Sequence, residues 1–492
     1  MTAKMNYING EWVSPQSGKT RKIINPATGE KLAEVADSGV EDVRSAIAAA
    51  KESFYGPGEW RRAPASFRSQ KLLAVADEIE KISDELCKLE SMNTGMTYNN
   101  AIGNIGMVVG VFRYYAGLIN KSEGRINPLD AYPGIQSVTV KEPIGVVGMI
   151  APWNVPCLMF SWKAAPALAA GNSIVFKPAS LTPLTAIRVF EVFDQIGFPK
   201  GVVNLITGPG GSIGGELAAN MDVDMITMTG STAVGQDIIR ASAGNVKRVG
   251  LELGGKSPII VYDDANIENA VEWVMETDFS NQGANCCAGS RVFVDEKIHD
   301  EFVKILVEKT NKVTVGIGLD NPNIGAIVSK EQLQTIMHYI ELGKQEGAKC
   351  LAGGGGYQLT DGIYAKGNFV RPTVFDACTP DMAIVKEEIF GPVVTIQTFK
   401  TEEEAFRKAN DTCYGLAGGV FTENYSRAIR AAEEIRAGIF WINHYNWAYA
   451  QCPWGGYKMS GTGRELGEEG LDEFQETKQI NVMMDSSAPG MW

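Results

Sequence analysis

The sequence predicts a two-domain α/β protein built on parallel sheets, and three observations carry that expectation. The chain has 492 residues, too many for one ordinary hydrophobic core. Short apolar runs alternate with helical stretches in two successive series, the pattern of strands covered on both faces by crossover helices. Gly-rich turns follow two of those runs, at the strand ends where open α/β sheets bind ligands.

Taken in order, Val43, Ile47, Ala50 and Phe54 share one helical stripe over residues 41–54. Ser38 and Glu41 have capping-box spacing there, and Gly56-Pro57-Gly58 ends the helix. A second amphipathic helix is expected over about 66–92. After a Gly/Pro-rich crossing near Asn127-Pro128 and Tyr132-Pro133-Gly134, residues 136–141 alternate like a strand that leaves the domain body, an oligomer arm in waiting. The first α/β series has strands at 144–150, 173–176, 202–206 and 225–228, with helices near 157–170 and 183–196. The second starts at Ile259-Ile260-Val261 and continues through helices near 266–276, 297–312 and 329–346 to strands near 393–398 and 438–442. The division is expected near residue 255.

Composition narrows the function. A net charge of -13 opposes nucleic acid as a partner, because phosphate backbones select basic surfaces. The eight cysteines show neither paired metal-ligand spacing nor disulfide density, so no metal site is expected and the reducing cytoplasm fits best. The first ten residues carry no apolar export region, and later hydrophobic stretches are broken by Pro, Gly or Lys, so no membrane association is expected. Only His299, His338 and His444 are available to any histidine-based chemistry.

Chemistry concentrates at a few stretches. Within Phe279–Arg291, Cys286 and Cys287 sit among small and amide residues that leave room for a substrate, which suits a reactive thiolate; an inert free thiol is the competing reading. Gly208-Pro209-Gly210-Gly211-Ser212-Ile213-Gly214 and Gly230-Ser231-Thr232-Ala233-Val234-Gly235 each follow a strand and open a helical pattern, where backbone amides can face a phosphate. Lys177 closes a strand before Pro178, placed for a ribose or phosphate contact or for solvent. Asn154 lies between Pro152 and Pro156, a rigid setting for an amide that donates to a developing oxyanion. Glu252 lies between two leucines, and a desolvated glutamate has its pKa raised toward that of a general base.

Together with Glu387-Glu388-Ile389-Phe390-Gly391-Pro392 and Pro453-Trp454-Gly455-Gly456-Tyr457-Lys458, these motifs resemble the aldehyde dehydrogenase superfamily in its own order over nearly the whole chain. The resemblance implies a Rossmann-like NAD(P)-binding domain from 1–120 and 144–254, a catalytic domain from 255–471, and a bridging oligomerisation element from 121–143 and 472–492. It implies a homodimer or homotetramer. By the same resemblance Cys286 is the nucleophile and Cys287 its neighbour; the Asn154 amide holds the oxyanion, Glu252 activates the hydrolytic water, and Lys163 and Glu465 lie on a proton path. NAD or NADP would meet Lys177, Gly208, Gly230 and Ser231 at its adenosine and phosphates, and Glu388 and Phe390 at the nicotinamide end, with Ile150, Pro152, Trp153, Ser180 and Leu253 around it. Glu252 disfavours a coenzyme-A-acylating relative. The same residues disfavour a catalytically retired binding protein, and the nucleotide turns disfavour a Cys-His hydrolase.

Three departures bear on specificity. Ser180 stands where a glutamate commonly binds the adenosine ribose, which lowers discrimination against NADP. Ala284 stands where Gln or Glu is usual, and Val155 replaces a frequent aromatic. Trp162, Trp447, Tyr449 and Trp454 match or neighbour tunnel positions; as a cation box they would suit a betaine-like or amino aldehyde. The cationic branch also adds acidic residues on the preceding helix, where this chain has Asn104, Gly106, Met107 and Val111. The expected substrate is therefore an apolar or aromatic aldehyde contacting Met107, Val111, Val155 and the aromatic set.

Overall fold

The computed structural model describes residues 5–121, 123–132, 134–359 and 362–484. The first sheet has eight strands in the order Gly461–Thr462, Arg248–Glu252, Met225–Thr229, Val146–Ile150, Ser173–Lys177, Val203–Leu205, Asn6–Ile8 and Glu11–Val13. Its five central strands run parallel, in register from Val147 beside Ile174 to Met228 beside Leu251. The middle three, Val146–Ile150, Ser173–Lys177 and Met225–Thr229, are almost wholly buried, which is why they read as mostly apolar runs without strict alternation. Helices Val40–Tyr55, Pro156–Ala170 and Leu184–Ile196 cover this sheet.

A second, seven-stranded sheet runs Lys349–Ala352, Thr373–Asp376, Val393–Phe399, Arg291–Asp295, Pro258–Val261, Ala417–Phe421 and Ile439–Ile442, parallel except at the first pair. The chain passes from one sheet to the other between Glu252 and Pro258. It does not stay there: Gly461–Thr462, expected in the second domain, pairs with Leu251 and Glu252 of the first sheet. The arm forms a third sheet, in which Gln475–Met483 pairs antiparallel along the whole of Ile135–Pro143, with Arg125–Asn127 beyond. Arg248 donates to the carbonyls of Glu473 (2.7 Å) and Gln475 (2.8 Å), fixing where the arm leaves the body. Residues 485–492 of the expected bridging element, and Pro133 of its crossing, lie outside the described residues.

Two local expectations change. The first helix is capped one residue later than the Ser38/Glu41 spacing suggested: Asp42 accepts from the Gly39 N–H at 2.9 Å, while Ser38 exchanges hydrogen bonds with Asn6. The helix expected over 66–92 is two helices, Ala65–Lys81 and Ser83–Thr94. Ile82 leaves the helical region (φ -102°, ψ 16°), and Asp84 and Glu85 open a new first turn, where a helix N-terminus favours carboxylates. The stretch Tyr98–Lys121 is long and apolar enough to cross a membrane, but half of its apolar window is buried, and Ile105, Val108, Phe112 and Tyr115 pack into the core against neighbouring helices.

Gly95 ends the Ser83–Thr94 helix with φ 88°, and a Cβ there would overlap the Ala326 carbonyl oxygen. Gly95→Ala is expected to destabilise the fold by about 2 kcal/mol or more. An unchanged urea midpoint would contradict this packing.

Candidate active site

In the first sheet the strand order reverses between Val146–Ile150 and Met225–Thr229. That reversal opens a crevice beyond the carboxyl ends of the two strands. The loops Ala151–Val155 and Gly230–Ser231 border it, and the second sheet closes it from the opposite side. Cys286 and Glu388 sit in loops that lead into strands Arg291–Asp295 and Val393–Phe399, so the second sheet contributes its amino edge. The resulting cavity holds about 940 Å3.

The cysteine loop has an unusual backbone. After helix Ile267–Phe279, Asn281 and Gln282 take consecutive left-handed conformations (φ 49° and 58°), a conformation uncommon for residues other than glycine and retained when surroundings over-determine it. Asn281 Nδ2 donates to the carbonyls of Asn154 (3.2 Å) and Ala284 (3.1 Å), and Asn154 Nδ2 donates to the Ala284 carbonyl at 3.0 Å. Gly283 (φ 71°) lies against the Gly391–Pro392 backbone, where a Cβ has no room. Ala284 is thus a backbone acceptor with its small side chain buried.

The two thiols differ. Cys287 is buried, and its Sγ faces the side-chain oxygens of Asn285 (3.2 Å) and Asn446 (3.1 Å). Cys286 is only partly buried and lines the cavity. Its contact with Cys287, then burial and the nearby Glu388 carboxyl push its thiol well above the usual range.

Glu252 ends strand Arg248–Glu252, held there by its carbonyl accepting from the Gly230 N–H at 3.0 Å. One carboxyl oxygen is buried without a partner. Burial and the Glu465 carboxylate raise its pKa far above the ordinary carboxylate range, against the opposing pull of Lys163. Lys163 is fully buried in helix Pro156–Ala170, ion-paired to Glu465 and donating to Thr229 Oγ1 at 2.6 Å. It lies beneath the cavity wall that Glu465 lines.

One arm of the cavity is bordered by Ile150, Pro152, Trp153, Lys177, Ser180, Gly230, Ser231, Leu253, Glu388 and Phe390. Gly208 is set back; its carbonyl accepts from Ser180 Oγ at 2.7 Å, and Gly210 takes the wall position. Ser231 caps helix Thr232–Ser242. Lys177 is buried, donates to the Pro178 carbonyl at 2.9 Å, and has its pKa drawn down to about 8 by burial and by Arg21. Glu388 accepts from the Gly255 N–H at 3.2 Å; burial lifts it to about 7 against that bond and Lys256. Phe390 is held at φ 55° with its ring edge-on to Trp153 at 5.1 Å. A buried ammonium, a helix N-terminus and a carboxyl with one oxygen left over suit the phosphates and hydroxyls of a nicotinamide dinucleotide.

On the other side, Met107, Val155, Trp162, Trp447, Tyr449 and Trp454 line the wall, with Trp162 and Trp454 rings 5.2 Å apart. Val111 departs from its expectation as a substrate contact: it is fully buried in the helical core and borders no part of the cavity. Val111 shares the face of Met107 four residues earlier on helix Tyr98–Leu118, but a turn farther along that face is covered by the packed helical core. Sequence reasoning missed Leu158 and Met159, although Val155, Leu158, Met159 and Trp162 form a helical stripe with a readable 3-4-7 spacing. It also missed Asn285 and Asn446, joined at 2.9 Å, and Glu276, which borders the cavity three residues after Trp273 and has no ion pair among the described residues. Trp273 packs edge-on to Trp447 at 5.5 Å. Nothing local distinguishes Glu276 from a solvated helix carboxylate.

Residues 12–480 match the Aldehyde dehydrogenase family. The chain is 45% identical over 477 residues to betaine aldehyde dehydrogenase of Bacillus subtilis (strain 168), covering 96% of each chain. It is 45% identical over 481 residues to aldehyde dehydrogenase 1A1 of Homo sapiens, covering 97% of this chain and 94% of that one. The crystal structure of betaine aldehyde dehydrogenase from Staphylococcus aureus in complex with NAD+ superposes with a TM-score of 0.97 at 41% identity, covering 100% of this chain and 97% of that one. The match runs through both sheets and into the arm, and the chain belongs to the aldehyde dehydrogenase family, oxidoreductases that act on aldehydes with NAD(P)+.

Proposed function

We propose that this enzyme oxidises an apolar or aromatic aldehyde to its carboxylic acid, with Cys286 as the nucleophile and Glu252 as the base of the hydrolytic half-reaction. The observation that carries the reading is the placement of the Cys286 thiol between a dinucleotide arm and an apolar stripe, with the Glu252 carboxyl on the same cavity. The Cys286 thiolate adds to the aldehyde carbon. Asn154 gives one amide hydrogen to Ala284, and its second meets the new oxyanion. Bound NAD+ or NADP+ supplies the hydride acceptor. Water then attacks the Cys286 thioester, its proton passing to Glu252 and onward to the Glu465–Lys163 pair, and the acid leaves as the thiol is restored.

Ser180 spends its hydroxyl on Gly208 and brings no carboxylate against a 2′-phosphate, which supports use of both cofactors. The arm, with Ile480, Val482 and Met483 exposed, supports a homodimer or homotetramer. Eight free cysteines suit the reducing cytoplasm.

A second reading, a betaine-like or amino aldehyde, is favoured by one observation. The Glu276 carboxyl, without an ion pair among the described residues, lines the cavity with Trp447 and Tyr449. Following reduced nicotinamide by absorbance over paired neutral and cationic aldehydes separates the two. Neutral aromatic or medium aliphatic aldehydes are expected to give the higher kcat/KM, and Glu276→Gln to leave them within about twofold. A cationic aldehyde that is far better, and that loses about tenfold on Glu276→Gln, would establish the second reading.

Glu252→Gln is expected to give one burst of reduced cofactor per active site and then stall as a thioester, about a hundredfold down or more in steady turnover. Normal steady turnover would remove Glu252 as the base. The sign of the Cys286 shift sets a pH dependence: a thiol raised above its ordinary value has little thiolate at neutrality and gains it as pH rises. Iodoacetamide labelling of Cys286 in the cofactor-free enzyme should still be accelerating between about pH 8 and about pH 9. A plateau by neutral pH would contradict the raised thiol.

A further inference from the structure

Helix Pro156–Ala170 begins without a cap of its own. Its N-cap residue, Val155, has no capping side chain, and Pro156 has no N–H to offer. The first available amide is that of Cys157, and it donates to Glu90 Oε1 at 3.2 Å. Glu90 comes from helix Ser83–Thr94 and is fully buried. Its other oxygen accepts from Thr185 Oγ1 at 2.6 Å, in the first turn of helix Leu184–Ile196. One interior carboxylate therefore meets the positive ends of two helices of 15 and 13 residues. Beside it Asn93 accepts from the Leu184 N–H and donates to the Leu181 carbonyl, locking the same junction.

Burying a carboxyl is costly, and here burial lifts its pKa to about 7 despite both hydrogen bonds. Without it the Cys157 N–H and the Thr185 hydroxyl would be left buried and unpaired, so the carboxyl holds these two helix starts together. What it orients is the start of the helix that follows Asn154 directly in the chain. The same helix carries Leu158, Met159 and Trp162 to the cavity and Lys163 to Glu465.

We infer that Glu90 is a positioning residue for Asn154: it caps helix Pro156–Ala170 from outside and thereby holds the Asn154 amide where the oxyanion forms. This rests on the role proposed above for Asn154. Misplacing a catalytic group by a fraction of an ångström is enough to slow the chemical step without loosening the cofactor.

The test is steady-state kinetics and NAD+ binding on the full-length enzyme. Glu90→Ala should lower kcat about tenfold with the NAD+ Kd within about twofold, and Glu90→Gln, whose amide oxygen can still accept from Cys157, should recover most of the loss. In an Asn154→Ala background, Glu90→Ala should add less than about twofold. Should Glu90→Ala fail to fold, Glu90→Asp, which keeps the charge but withdraws it by one methylene, should show the same kcat loss and the same silence behind Asn154→Ala. Wild-type kcat in a folded Glu90→Ala or Glu90→Asp enzyme, equal losses with Gln and Ala, or full additivity with Asn154→Ala would each overturn the inference while leaving Asn154 in place. An Asn154→Ala enzyme with unchanged kcat would instead remove the oxyanion role of Asn154, and this inference with it.

Discussion

The amide exchange between Asn154 and the Asn281–Ala284 turn joins the two halves of the active site. Asn154 belongs to the loop leaving the first sheet, Asn281 and Ala284 to the loop entering the second; two side-chain-to-carbonyl hydrogen bonds of 3.0 and 3.2 Å join them, and a third, from Asn281 to Ala284 at 3.1 Å, closes the second loop on itself. Each is worth on the order of 1 kcal/mol net, yet leaving any of these buried groups unpaired costs more. The consequence is geometric. With the two loops tied, consecutive left-handed residues at Asn281 and Gln282 can persist, and the strand-leading loop delivers Cys286 into a crevice whose other wall is the first sheet.

Low dielectric then shapes the chemistry. Glu252, Glu465 and Lys163 are all withdrawn from bulk water, so their charges act on one another rather than on solvent. Beside the buried Lys163–Glu465 pair, burial and the Glu465 charge raise the Glu252 pKa above that of a free glutamate. In its ionised form a carboxyl of raised pKa is a stronger base toward water than a fully solvated glutamate.

Specificity is divided along the cavity. The wall near Cys286 is apolar and rigid, made by a helical stripe from Val155 to Trp162 and by Trp454 packed on Trp162. The mouth is mixed, with Trp447 and Tyr449 beside amides and the Glu276 carboxylate. The two ends of the cavity therefore present different chemistry.

The sequence by itself determined the α/β class, the strand-and-turn positions and the cysteine, glutamate and asparagine stretches, because each depends on local periodicity or on a short motif whose residue types carry the chemistry. Strands such as Val146–Ile150 are buried along almost their whole length and so read as apolar runs, and a turn like Gly230-Ser231 needs small residues wherever it occurs. Only the tertiary structure decided that Val111 faces the core while Glu276 borders the cavity, that Gly461–Thr462 returns to the first sheet, and that Glu90 reaches the start of a helix 67 residues away in the chain. Those relations join residues with no common period. They are set by how helices rotate against the sheets and by which buried polar group is near enough to satisfy another, and neither quantity is written in neighbouring residues.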